Sequence, residues 1–349
     1  MKRVLTLLGT LALGAAVLWM ADLGRLREVA AGLDPAWLPL LVLTAPALAG
    51  LSVGKWWLLL RARVGSRAPG FFPLLGLYAT GQFYNQVLPS NSGGDVVRGE
   101  LLARRLRGSG GSGGRAAAYA SITAERFTGL AVLVAMAVPA ALVPAFWSSP
   151  VLMLGIASGT LLSVAVMAGV LLVPPGAGGS GAGGVVSKVL AKLAAFSADL
   201  RAHRAHPGTL LATLGLSVGF YAVAVASVVV AAGCFGERIG WLPAAAATAA
   251  VLIVSLLPVS INGLGLWEAS FLASFEALGL GGELGLAVAL VLRLRDLCWA
   301  VAGASVAAAL QGGHARGANL TGATRQGTGP LRRVGVVRVG RRGGAEERG

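Results

Sequence analysis

The 349-residue chain is 56% hydrophobic and 12% charged, with a formal net charge of +15. A soluble domain carries about 25% charged residues, so an ordinary soluble protein is excluded. The basic excess lies between long apolar blocks rather than on one polar domain, which fits the bias of cytoplasmic loops and argues against a nucleic-acid partner.

The chain reads as an all-α, polytopic helical membrane protein. Its blocks are long enough to cross about 30 Å of hydrocarbon, and they lack the ten-residue alternation of a membrane barrel. Residues 4–20 form the first block, behind Lys2 and Arg3. It resembles a signal peptide, but no small-residue cleavage site follows, so a retained helix is expected. The connection 21–35 is slightly acidic, which suits the outside. Residues 36–60 are the second span, and Arg61, Arg63 and Arg67 follow without an acid, which suits the cytoplasm.

Residues 71–90 begin apolar, turn polar and break at Pro89. The segment 91–115 sets five Arg against Asp95 and Glu100, again a cytoplasmic signal. Both flanks of 71–90 therefore want the same face, and the segment is expected to be re-entrant. Broken backbone at that depth needs cover from protein or water. Spans follow at 116–143, 150–173 and 208–232, with a Gly-rich linker and an amphipathic cytoplasmic helix, 185–206, before the last of them. Residues 243–259 and 265–280 read as a second broken hairpin, entering from the outside. The last apolar helix is 284–311, and 312–349 reads as a disordered, basic cytoplasmic tail with eight Arg against two Glu.

Six full crossings leave both termini in the cytoplasm, and eight would do the same. The two breaks share a string, Leu88-Pro89-Ser90-Asn91-Ser92-Gly93-Gly94 and Leu257-Pro258-Val259-Ser260-Ile261-Asn262-Gly263. Paired broken elements in two halves mark a candidate inverted repeat and point to a transporter's binding site.

Candidate site residues fall at those breaks and inside the spans. Asn91, Ser92 or Asp95 can cap a helix, Gly93 and Gly94 permit a tight turn, and amides at a helix start attract an anion. Arg98 is placed to clamp a phosphate. Glu125 and Arg126 lie inside an apolar block, where ionisable groups are costly, and they need partners such as Asp95, Arg98 or Asp296. Asn262 and Glu268 surround the second break, and Glu268 is also placed to face water at the outer interface. Arg293 and Asp296 can pair at i,i+3 in the last span, while Arg295 needs its own partner. Cys298 is expected to be a small buried hydrophobe. No metal site, cofactor site, Walker loop or supported catalytic triad is read, so transport is expected rather than catalysis.

The pattern Asn85-x-x-Leu-Pro-x-x-x-Gly-Gly-Asp-x-x-Arg98, with Glu125-Arg126-x-x-Gly129 and Leu257-Pro258 through Asn262-Gly263-Leu264-Gly265 and Glu268, resembles the lysylphosphatidylglycerol synthase transmembrane-region, or flippase-like, family. The resemblance covers roughly residues 1–311. It implies a fold with re-entrant hairpins and a location in the cytoplasmic membrane of a prokaryote. Members include the membrane part of bacterial multiple-peptide-resistance proteins, which resembles a flippase of aminoacylated phosphatidylglycerol. The aminoacyl-transferase domain of those fusions is lacking here, so the resemblance does not imply synthase activity. Glu125 stands where members often have Asp, which keeps the charge. The implied function is movement of a phospholipid or polyprenyl-phosphate-linked lipid between leaflets. The implied partners are membrane lipids, anionic phospholipid or polyprenyl phosphate. A small-molecule or ion permease, a scaffold binding anionic lipid or a partner enzyme, and a lipid-modifying enzyme stay open as alternatives.

Overall fold

A computed structural model describes residues 21–87, 93–108, 114–172, 207–257 and 263–325, with Ala15, Val17, Trp19, Pro174, Ala194, Ser197, Ala198 and Ser260 as isolated positions. The described residues form helices and turns: α1 (Leu23–Ala31), α2 (Leu38–Val64), α3 (Phe71–Val87), α4 (Gly93–Gly108), α5 (Gly114–Leu142), α6 (Pro150–Leu172), α7 (Pro207–Gly233), α8 (Trp241–Val254), α9 (Leu266–Ala277) and α10 (Gly282–Arg325). The expected all-α architecture is what is seen. Most of the first block, 4–20, and most of the helix expected at 185–206 lie outside the described residues.

Four helical segments among the described residues are long and apolar enough to cross a membrane: Pro35–Arg67, Gly114–Leu142, Pro150–Leu172 and Pro207–Gly233. They coincide with the spans expected at 36–60, 116–143, 150–173 and 208–232. Their ends follow local chemistry. Asp22 caps α1 by accepting from the amides of Gly24 and Arg25 at 2.9 and 3.1 Å. Asp34 does the same for Ala36, while its own amide donates to Cys234 at 2.7 Å and ties two connections together.

Between the long helices sit two pairs of short ones. Helices α8 and α9 have 14 and 12 residues, so each rises only about 20 Å against about 30 Å of hydrocarbon. Helices α3 and α4 have 17 and 16 residues and pack on each other. The single re-entrant segment expected at 71–90 is therefore one limb of a helical hairpin, because 93–108 folds as its second limb. The order long, short, short, long occurs twice, in α2–α5 and in α7–α10. The turns themselves, 88–92 and most of 258–262, lie outside the described residues, and so do Asn91 and Asn262.

A small apolar cluster around Val17, Ala21 and Leu286 and two large ones lie in the unit of residues 1–307. One centres on α8, whose Ala244, Ala246, Ala247, Ala249 and Ala250 are buried among α5, α6, α7 and α9. Small residues let helix backbones approach closely where lipid offers no hydrophobic drive. The other joins Val53, Trp56 and Leu60 of α2 to Leu74, Leu102 and Ile122 on α3, α4 and α5. The second unit, 308–349, is helical as far as Arg325, so helix does not stop at 311, where span was expected to give way to tail. No proline falls between Gly282 and Pro330.

Cys298 corrects one expectation: it is exposed, while Cys234 is buried. Leu290, Leu294, Leu297 and Val301 are exposed beside it on α10. An apolar residue in a membrane span is satisfied by lipid as well as by protein, so an apolar block does not by itself place a residue in the core.

Candidate functional site: a charged cavity between α2, α3, α4 and α5

The hairpin α3–α4 closes on two glycines. A Cβ on Gly94 would lie 1.9 Å from the carbonyl oxygen of Gly81. The Gly94 amide donates to Asn85 Oδ1 at 2.8 Å. Asn85 and Gly94 thus seal the hairpin. Of the amides at the α4 start, that of Gly94 is committed to Asn85.

One turn further, Arg98 is buried to 2% exposure. Its Nε donates to Asp95 Oδ1 at 3.0 Å, and its Nη2 to Glu125 Oε2 at 2.8 Å. The guanidinium carbon stands 4.9 Å from the Trp56 ring centre and 5.3 Å from that of Tyr78, within range of attraction to both faces. Trp56 is fixed in turn by its indole N–H, which donates to Ser121 Oγ at 3.0 Å. The remaining guanidinium nitrogen of Arg98, Nη1, has no hydrogen-bond partner among the described residues.

Arg126 donates from Nε and Nη2 to Asp95 at 3.0 Å, and 56% of its side chain is exposed. Lys55 Nζ approaches Glu125 Oε1 at 3.9 Å and lies 5.0 Å from the Phe220 ring centre. The partners expected for Glu125 and Arg126 are therefore present in Arg98 and Asp95, and Asp296 is not among them. Three cations and two carboxylates from α2, α4 and α5 surround a cavity of about 370 Å³, closed by Tyr78, Gln82, Phe220 and Tyr221.

A second cavity of about 250 Å³ shares Tyr78, Gln82 and Phe220 with the first. Its wall is mostly apolar, with Trp267, Trp299, Arg295 and Asp296. Arg295 donates from Nη1 to Thr44 Oγ1 at 2.8 Å and from Nη2 to Asp296 at 2.7 Å. The pairing of Arg293 with Asp296 is not formed. Arg293 bonds Glu268 instead, a carboxylate supplied by α9. Glu268 also accepts from the Gly265 amide at 2.8 Å and is 8% exposed, so it does not face water. Glu268 and Arg293 line neither cavity.

The model of the family described as lysylphosphatidylglycerol synthase TM region matches residues 7–304. The chain belongs to this family. Nothing among curated proteins and solved structures matches it. The match spans both hairpins and all five ionisable groups of the first cavity.

Lys55, Trp56, Tyr78, Phe220 and Tyr221 are site residues that sequence reasoning missed. Lys55 had a signal, being the one ionisable residue between Ala36 and Leu60, and such a residue inside a span is a functional candidate. The aromatics had none, since aromatic residues on apolar helices read as packing.

Proposed function

We propose that the protein moves a lipid with an anionic headgroup between membrane leaflets, as a transporter rather than an enzyme. The observation that carries this reading is the cavity of about 370 Å³ among apolar helices, walled by Lys55, Arg98, Arg126, Asp95 and Glu125. Charges at such positions are expensive and are kept for a path or a partner. The second cavity, behind Tyr78, Gln82 and Phe220, adds a mostly apolar chamber beside the charged one, and a lipid needs both. The headgroup stays among charges while its tails remain in hydrocarbon. Placement in the cytoplasmic membrane of a prokaryote, with both termini inside, belongs to the same reading and rests on the distribution of Arg and Lys.

Arg98 is central to it as the group that holds Asp95 and Glu125 in place. The test is reconstitution into liposomes doped with tail-labelled phospholipids, followed by quenching from outside. Exchange faster than in empty liposomes is expected, with loss of that excess in Arg98→Ala. Equal exchange by matched amounts of folded Arg98→Ala would remove the charged cavity from the mechanism.

A further inference from the structure

The five ionisable groups of the first cavity do not cancel when each carries its usual charge. Lys55, Arg98 and Arg126 face only Asp95 and Glu125, which leaves one positive charge. An unpaired charge out of water is costly, and the cavity has room for the missing anion. The three cations are not equally free to meet it. Arg98 commits Nε and Nη2 to the two carboxylates and lies between Trp56 and Tyr78. Arg126 commits Nε and Nη2 to Asp95 but remains half exposed. Lys55 is held most loosely, with one carboxylate oxygen at 3.9 Å and one aromatic face. An ammonium is a compact point charge with three donors, suited to an anion that arrives and leaves.

We propose that Lys55 and Arg126 together take one phosphodiester monoanion, with Arg98 as their fixed brace, and that the site selects headgroups by this single net charge. A phosphodiester carries one negative charge and neutralises the cluster. A phosphomonoester carries about −1.5 to −2 at neutral pH and overshoots it. A headgroup whose phosphate is balanced by its own cation leaves the excess in place. The inference rests on the lipid reading for its ligand, but the charge selection can be measured without any movement between leaflets.

The experiment uses the full chain in detergent with three lipids of identical tails: phosphatidylglycerol, phosphatidate and phosphatidylcholine. Retained lipid is counted by native mass spectrometry, and leaflet exchange is measured in parallel. Phosphatidylglycerol should be retained over each of the others by about tenfold. Lys55→Gln should bring phosphatidylglycerol and phosphatidylcholine to near parity, and Lys55→Arg should keep the preference. Stronger retention of phosphatidate, or a headgroup ratio unchanged in Lys55→Gln, overturns the proposal. Displacement of the lipid by equimolar glycerophosphoglycerol would assign the site to a soluble diester and overturn the lipid assignment. Selective retention without exchange leaves the charge selection standing and removes the transport reading. Exchange without selectivity does the reverse.

Discussion

The two hairpins share a plan and differ in what they carry. Both carry a Leu-Pro string followed by glycine between two short helices, and both sit between longer helices. In α3–α4 the second limb brings Asp95 and Arg98 into a cluster with Lys55, Glu125 and Arg126 around a cavity. In α8–α9 the second limb brings two carboxylates that line neither cavity: Glu268 caps its own helix and binds Arg293, and Glu276 accepts from the Gly282 amide. The glycines differ as well. Gly94 is required by contact with Gly81, whereas Gly263 has φ +69 and no atom closer than Ser255 Oγ at 4.0 Å. The same outline therefore serves a charged chamber on one side and a tied turn on the other.

The comparison breaks most sharply at the glycines. Gly94→Ala places a Cβ 1.9 Å from the Gly81 backbone oxygen and 2.7 Å from the Asn85 side chain, and the backbone oxygen cannot swing aside. A loss of about 3 kcal/mol or more is expected, at or above the upper end of overpacking, together with loss of the Asn85 bond. Gly263→Ala meets open space and strains only the backbone, at about 1–2 kcal/mol. Thermal unfolding in detergent should rank them in that order, and the reverse order would mean that α3 and α4 are not closed on Gly81. The carboxylates come next. Glu125→Gln strips Arg98 and Lys55 of a buried partner, which costs about 3–5 kcal/mol for a buried pair. Glu268→Gln should cost about 1–2 kcal/mol, because Gln keeps an oxygen for the Gly265 amide and Arg293 is partly exposed. Equal losses from the two would contradict the division between chamber and turn.

The sequence made the architecture legible where physics is local. Apolar length placed the spans, and the arginines after 36–60 and across 91–115 suggested their sidedness. Glu125 and Arg126 stood out because charge inside an apolar block is rare, and Asp95 and Arg98 because they follow the break at Pro89. What stayed illegible depended on which elements meet. Arg293 was matched to Asp296 by helix spacing, but α9 supplies Glu268 from another part of the chain. Arg98 invited a phosphate clamp by residue type, although two of its nitrogens belong to protein carboxylates. Trp56 and Tyr78 carried no signal, since an aromatic ring marks a cation's seat only once the cation is beside it. The exposed Cys298 shows the same limit in burial, because apolar surface is not hidden surface in a membrane.

The smallest effect is expected at Glu100, also on α4 but outside the cavity. Its carboxylate lies 3.5 Å from Arg107 and 3.3 Å from Arg115, whose side chains are 51% and 67% exposed. Glu100 Oε2 accepts no hydrogen bond, so the approach to Arg115 is charge without alignment. Exposed pairs of this kind contribute about 0–1 kcal/mol and are screened by salt. Glu100→Gln should therefore shift the thermal midpoint by little, the shift should shrink further in high salt, and leaflet exchange should match the parent chain. A loss as large as that of Glu125→Gln would mean that the junction of α4 with α5, rather than the cluster around Arg98, holds the second limb in place. The hairpin would then owe its position to its rim, and the chamber charges would be free to serve a ligand without also supporting the fold.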